Sequence, residues 1–206
     1  YLAAAGIGRI GVADGDVVEV SNLQRQVIHT TADVGKSKAL SAAEAMRAIN
    51  PHGDVQTFTE RLTATTARET LRGYDMVLDG CDNFPTRFLV SDACWLEGIP
   101  RVSAAVVRFE GQMMTILPGE SPCYRCYLPE PPPPDLAPNC QQAGVLGPVV
   151  GTMGTLQAVE TLKVLLAAHE ARRGEQTQEA GRRNLGFGLR FLESQRPHAA
   201  ERHARQ

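Results

Sequence analysis

Basic residues do not outnumber acidic ones in this chain: 21 lysines and arginines stand against 23 aspartates and glutamates, a formal net charge of −2. A broad positive field is missing, and with it the usual electrostatic footprint for nucleic acid. Cysteine is scarce and odd in number, with five in 206 residues. That is not the framework of a disulfide-stapled secreted domain, and it fits a reducing, cytoplasmic compartment. Long apolar runs are lacking too. The longest stretch without a charged side chain, residues 136–159, is broken by Pro138, Pro148, four glycines and four amides. It makes a poor membrane span and a better buried loop and helix. Neither a signal peptide nor an initiating methionine is visible. "YLAAAG" has the look of a helix end stopped by Gly6, so an earlier segment is expected before Tyr1. No internal repeat occurs, and the only low-complexity run is the prolines at 131–134.

What is there suffices for one domain with a substantial core: 43% of residues are hydrophobic and 21% charged. Strand-like and helix-like patterns alternate. Residues 9–13 (RIGVA) predict a strand that ends at Asp14. Residues 36–49 predict a helix: Ala39, Ala42, Ala43, Met46 and Ile49 share a face, and Asn50-Pro51 stops it. A strand over 55–60, a helix over 63–71, a strand over 75–79 and a helix over 85–97 follow. Residues 100–109 and 112–117 predict a hairpin around Gly111, and 149–168 a long helix. This order predicts an α/β fold whose first strands are parallel. Ligands of such sheets sit beyond the carboxyl ends of the strands, where Asp14 and residues 79–83 fall. From Glu170 onward the composition changes to eight arginines and no lysine, so a domain over 1–169 and a mobile tail over 170–206 are expected.

The chemistry-bearing residues cluster at those strand ends. Asp14 can accept hydrogen bonds from both ribose hydroxyls of a nucleotide, and an Asp-Gly turn explains it equally well. Asn22, Gln24 and Arg25 follow closely, and the Arg25 fork suits phosphate oxygens. Lys36 and Lys38 stand at a helix start, where an anion is favoured. In "LDGCDN", Asp79 and Asp82 are hard-oxygen ligands of the kind Mg²⁺ uses beside phosphates, while Asn83 can cap the next helix. Cys123 and Cys126 form a Cys-x-x-Cys pair, which is half a zinc site or a redox pair. The later Cys140, His169, His198 and His203 do not make a convincing second half. Cys140 itself, before a glycine-rich loop, is a reactive thiol or a buried inert one.

Taken together and in order, "DGDVVEVSNLQRQVIHTTADVGKSKA", "LDGCDN", "GQ" after a strand, "CYRC" and "NCQQAGVLGPVVGTMGTLQAVETLK" closely resemble the bacterial E1-like adenylyltransferases of the ThiF/MoeB/HesA family. The resemblance runs from Tyr1 to about Ala168. It implies a Rossmann-like E1/ThiF fold, with a mostly parallel sheet and an antiparallel part at its C-terminal end. It also implies ATP-dependent adenylylation of the C-terminal glycine of a ubiquitin-like sulfur carrier ending in Gly-Gly, serving thiamine or molybdenum cofactor biosynthesis. A cysteine desulfurase or rhodanese would supply sulfur, and the enzyme would be a homodimer. By resemblance Asp14 holds the ribose; Ser21, Asn22, Gln24, Arg25 and Lys38 surround the nucleotide; and Asp82 binds Mg²⁺ beside Asn83. Cys123 and Cys126 would be half of a four-cysteine zinc site, and Cys140 matches a cysteine that handles sulfur in some members.

The sequence departs from the family pattern in three places. The family's glycine-rich loop with its strand, its N-terminal arginine and its second Cys-x-x-Cys are not in these 206 residues. Two rivals therefore stand beside adenylylation: a non-catalytic remnant that keeps a carrier-binding or dimer surface, and an NAD-dependent oxidoreductase on the same fold class. The second leaves "SNLQRQ" and "DN" unexplained and lacks an acid for hydride transfer.

Overall fold

The computed structural model describes residues 1–133 and 144–172, with side chains described to residue 170. The chain divides into two compact units, Tyr1–Leu162 and Lys163–Gln206. Of the second, only the end of one helix is described. Everything below concerns the first unit.

The opening residues make a helical turn, with the Ala5 N–H donating to the Tyr1 carbonyl at 2.9 Å. Gly6 ends it at φ 83°, a backbone angle that favours glycine. Strand β1 (Arg9–Ala13) then pairs in parallel with β2 (Asp54–Phe58), Arg9 opposite Asp54 and Ala13 opposite Phe58. The crossover contains helix α1 (Lys38–Ile49), reached through two 3₁₀ turns, Val20–Asn22 and Thr31–Asp33. α1 buries Ala39, Ser41, Ala42 and Ala43. Its apolar face is narrower than the pattern predicts, since Ile49 is exposed. Small residues let this helix lie close to the strand pair, and the bulky end of the stripe projects past it.

Helix α2 (Ala67–Leu71), strand β3 (Val77–Asp79) and helix α3 (Phe84–Glu97) come next. Asn83 caps α3 by accepting the Thr86 N–H at 2.9 Å, Pro85 lies in the first turn, and Gly98 closes the helix at φ 67°. Ala67, Leu71, Val77, Val90, Ala93, Cys94 and Ile99 form one apolar core. β4 (Arg101–Val107) is parallel to β3 and antiparallel to β5 (Glu110–Ile116). Among the described residues the strands form two sheets, β1-β2 and β3-β4-β5. Parallel pairs come first and the antiparallel pair last, as expected. β1 alternates between exposed and half-exposed positions. Parallel strands are normally covered on both faces.

The hairpin differs from expectation. Gly111 lies inside β5, and the turn falls at Arg108, which takes a left-handed φ of 56°. Arg108 donates its N–H to the Gly144 carbonyl and accepts the Leu146 N–H, both at 3.0 Å, so the hairpin tip holds the chain entering the last helix. Gly111 answers a demand for space instead: a Cβ there would stand 2.5 Å from the Met153 sulfur. Met153 belongs to α5 (Gly147–Arg172), which follows the short helix α4 (Tyr124–Tyr127). By length and composition α5 could cross a membrane. Its Gln157, Ala158 and Thr161 are buried against this domain, while most of its other described residues are not.

A second core joins α3, β5 and α4 through Phe88, Ile116 and Tyr124. The Phe88 and Tyr124 rings meet edge to face at 5.2 Å. Phe88 is 5% exposed, so Phe88→Ala should cost about 3–5 kcal/mol. Urea denaturation should show a lower midpoint at an unchanged slope.

Candidate functional site

The turn after β1 is built on carboxylates. Asp14 follows the strand, and its Oδ1 accepts the Asp16 N–H at 2.9 Å. This is the Asp-Gly turn bond, and it leaves the second Asp14 oxygen outside that bond. Asp16 accepts from Arg61 Nη2 at 2.7 Å and from Lys38 Nζ at 3.3 Å. The Lys38 N–H also donates to the Asp16 carbonyl at 3.0 Å, which pins the first turn of α1 to the acidic turn. Burial works against the Asp16 charge, but the bonds and charges of Lys38 and Arg61 outweigh it and hold the carboxyl below its ordinary value. Asp14, Asp16, Lys38 and Arg61 thus form one cluster. Asp16 and Arg61 were not singled out from sequence. The second acid of "DGD" was the available signal.

The "SNLQRQ" segment folds on itself. Buried Asn22 accepts the Glu19 N–H through its side chain at 3.0 Å, and its carbonyl accepts the Arg25 and Gln26 N–H groups. Ser21 Oγ donates to Glu19 at 3.1 Å, and Arg25 Nη1 donates to the Ser21 carbonyl at 2.9 Å. Gln24 is exposed at its side chain. Its backbone carbonyl lies so near Gly147 that a Cβ at Gly147 would collide with it. The start of α5 therefore presses on this segment, and glycine permits the approach. Gln26 Oε1 and Ser37 Oγ are buried without a partner among the described residues. Orphaned buried oxygens call for a missing partner. The Gln26 amide oxygen accepts only, so it suits a donor and not an anion, whereas the Ser37 hydroxyl can donate or accept.

At the end of β3, Asp79 is fully buried and Asp82 and Asn83 are exposed. Asn83 Nδ2 approaches the Asp82 carboxylate at 3.5 Å. Asp82 has no ion pair among the described residues, so its carboxylate fits the role of Mg²⁺ ligand beside phosphate. No hydrogen bond or ion pair among the described residues joins this loop to the Asp14 cluster.

Cys123 and Cys126 come together, with sulfurs 3.2 Å apart. Two thiolates on one tetrahedral zinc stand roughly 3.8 Å apart, so the pair fits half a site after a small opening. No cluster of three or more His, Cys, Asp or Glu occurs among the described residues. Burial, then the Cys123 contact, raises the Cys126 thiol. Burial pushes Cys94 up to about 12 and, with Asp79, drives Cys81 upward as well, so neither is a ready nucleophile. Cys140 lies outside the described residues.

Parallel strands that end in acidic turns, with helices packed beside them, define a Rossmann-like α/β domain. The model of the ThiF family matches residues 1–204, and the chain belongs to that family. It is 53% identical over 164 residues to the adenylyltransferase and sulfurtransferase MOCS3 of Mus musculus, covering 80% of this chain and 36% of that protein. It is 52% identical to the sulfur carrier protein adenylyltransferase of Thermus thermophilus, covering 81% of this chain and 63% of that protein. The SAMP-activating enzyme E1 of Haloferax volcanii is 50% identical, with 83% and 63% covered. The chain therefore spans between about a third and two thirds of these relatives. Among solved structures, Escherichia coli MccB with N-formylated MccA matches at TM-score 0.69 and 23% identity, over 79% of this chain and 51% of that one, a likeness of fold.

The lowered carboxyl of Asp16 has a sign that can be tested. A group held below its ordinary value contributes stability above that value and loses it as pH falls through the lowered one. Asp16→Asn should lower stability at neutral pH, and the difference should shrink as pH falls through and below the ordinary aspartate range. Urea titrations across that range read it directly.

Proposed function

We propose that this domain adenylylates the C-terminal glycine carboxylate of a ubiquitin-like sulfur carrier protein, as a step toward the thiocarboxylate used in thiamine or molybdenum cofactor biosynthesis. The observation that carries the proposal is the 52% identity, across 81% of the chain, to a protein named sulfur carrier protein adenylyltransferase. The site chemistry supports it. A glycine carboxylate is already ionised at neutral pH, so no general base is needed. It attacks the α-phosphorus of ATP, a new P–O bond forms, and the bond to the departing pyrophosphate breaks. The protein has to hold two anions together and offset their charge.

This chain offers residues for those tasks. Asp14 has a carboxylate oxygen for the ribose. Arg25 and Lys38 are the cations for the phosphates, with Ser21, Asn22 and Gln24 forming the segment around them. Asp82, with Asn83 beside it, would hold Mg²⁺, which when bound screens phosphate charge. A sulfur donor, homodimer formation, a cytoplasmic setting, sulfur handling at Cys140 and a catalytic domain over 1–169 belong to the same reading. Zinc at Cys123 and Cys126 would be structural.

Carrier-dependent ATP–pyrophosphate exchange tests the proposal in the intact protein with a carrier ending in Gly-Gly. Exchange is expected, and Asp82→Ala should abolish it, a loss of at least about a hundredfold. Carrier binding without Mg-ATP binding would instead assign a non-catalytic role. A preference for reduced nicotinamide would assign an oxidoreductase.

For zinc, metal analysis of the purified 206-residue chain should give well under one equivalent per monomer. One tightly bound zinc per monomer would show a complete site.

A further inference from the structure

We infer that Arg101 and Gln157 are positioning residues that set the loop at 80–83, and through it the carboxylate of Asp82. The inference rests on the adenylylation reading above.

Asp79 is the hub. Its Oδ2 accepts from Arg101 Nη1 at 2.8 Å and from Ser103 Oγ at 3.0 Å, and its Oδ1 accepts the Cys81 N–H at 2.9 Å. Gln157 of α5 donates from one amide nitrogen to the Asp79 carbonyl at 3.0 Å and to the Val102 carbonyl at 2.8 Å. The loop is gripped again on its far side. Arg87 donates to the Cys81 carbonyl, and Arg101 donates to the Arg87 carbonyl at 3.3 Å. Both polar atoms of the Cys81 backbone are thus held by buried groups, one residue before Asp82.

Stability alone does not call for this arrangement. The Asp79 and Arg101 side chains are 0% and 1% exposed. Among the described residues Arg101 Nε and Nη2 find no hydrogen-bond partner, although the guanidinium lies 5.2 Å from the Tyr124 ring centre. A buried pair with unused donors is commonly no better for stability than well-packed apolar residues. What the pair adds is direction. It fixes where β3 ends and how the next residues leave the sheet, which is where the exposed Asp82 stands. Groups that orient a metal-binding side chain commonly matter tenfold or more to metal affinity.

Two variants separate positioning from packing. Asp79→Asn with Arg101→Met removes both charges together and leaves no lone buried ion. Gln157→Met keeps the ion pair and removes only the tie from α5. For each, the intact protein is followed by thermal unfolding, by hydrogen exchange of the amides at 80–83 without ligands, and by exchange kinetics. The variants should fold, with the loop amides exchanging about tenfold faster. Half-saturating Mg²⁺ should rise about tenfold, with KM for the carrier unchanged. If loop protection or the Mg²⁺ requirement stays at the wild-type value in a folded variant, the inference falls. If the wild type itself shows no pyrophosphate exchange, the adenylylation reading falls and takes this inference with it.

Discussion

A carboxylate with no exposed surface must be matched by groups around it, and in this domain Asp79 organises three elements in that way. Arg101 and Ser103 reach its carboxylate from β4 and the Cys81 N–H from its own loop, while Gln157 of α5 holds its backbone carbonyl. Removing one partner of such a pair leaves a buried charge and typically costs about 3–5 kcal/mol. The register of β3 against β4, with Asp79 opposite Ser103, places these partners side by side. A slip by one residue would turn Asp79 to the opposite face. Sheet register, helix docking and the exit of the 80–83 loop are therefore one constraint.

The acidic turn after β1 works differently. Asp16 is half exposed and has two cations, Lys38 at 3.3 Å and Arg61 at 2.7 Å. If Lys38 turns to a phosphate oxygen, Arg61 still faces the carboxylate, so the exchange strands no buried charge. Water screens the Arg61–Asp16 pair and weakens it, whereas the Lys38 side chain is only 13% exposed. The buried pair at Asp79 fixes geometry, while the half-exposed Asp16 carboxylate is shared between two cations.

Much of this was legible in the sequence, because it depends on local rules. The strand at 9–13, the Asn83 cap with Pro85, and the acids at strand ends all follow from periodicity and turn chemistry. The misses depend on tertiary contacts. Gly111 resembles a turn residue, but its role is to admit Met153 from a helix far along the chain. Arg101 begins a strand that is otherwise small and apolar, and nothing local says that it is buried against Asp79. Asp16 stands two residues after Asp14, which was singled out, and only the fold brings Arg61 and Lys38 to it. The resemblance to the family supplied roles for Ser21, Asn22 and Gln24 that their spacing alone could not.

The Cys123–Cys126 turn shows what a metal would and would not add. Arg125, inside the pair, makes a two-pronged contact with Asp92 of α3 at 2.8 and 2.7 Å and lies 4.8 Å from the Phe88 ring centre. Tyr124, also inside it, is buried against Phe88. The turn is thus fastened to α3 by its two middle residues without help from the sulfurs. Zinc is not needed to hold it there. Its remaining effect would be to tie this turn to whatever supplies the other ligands, as a cross-link between segments rather than a support for one.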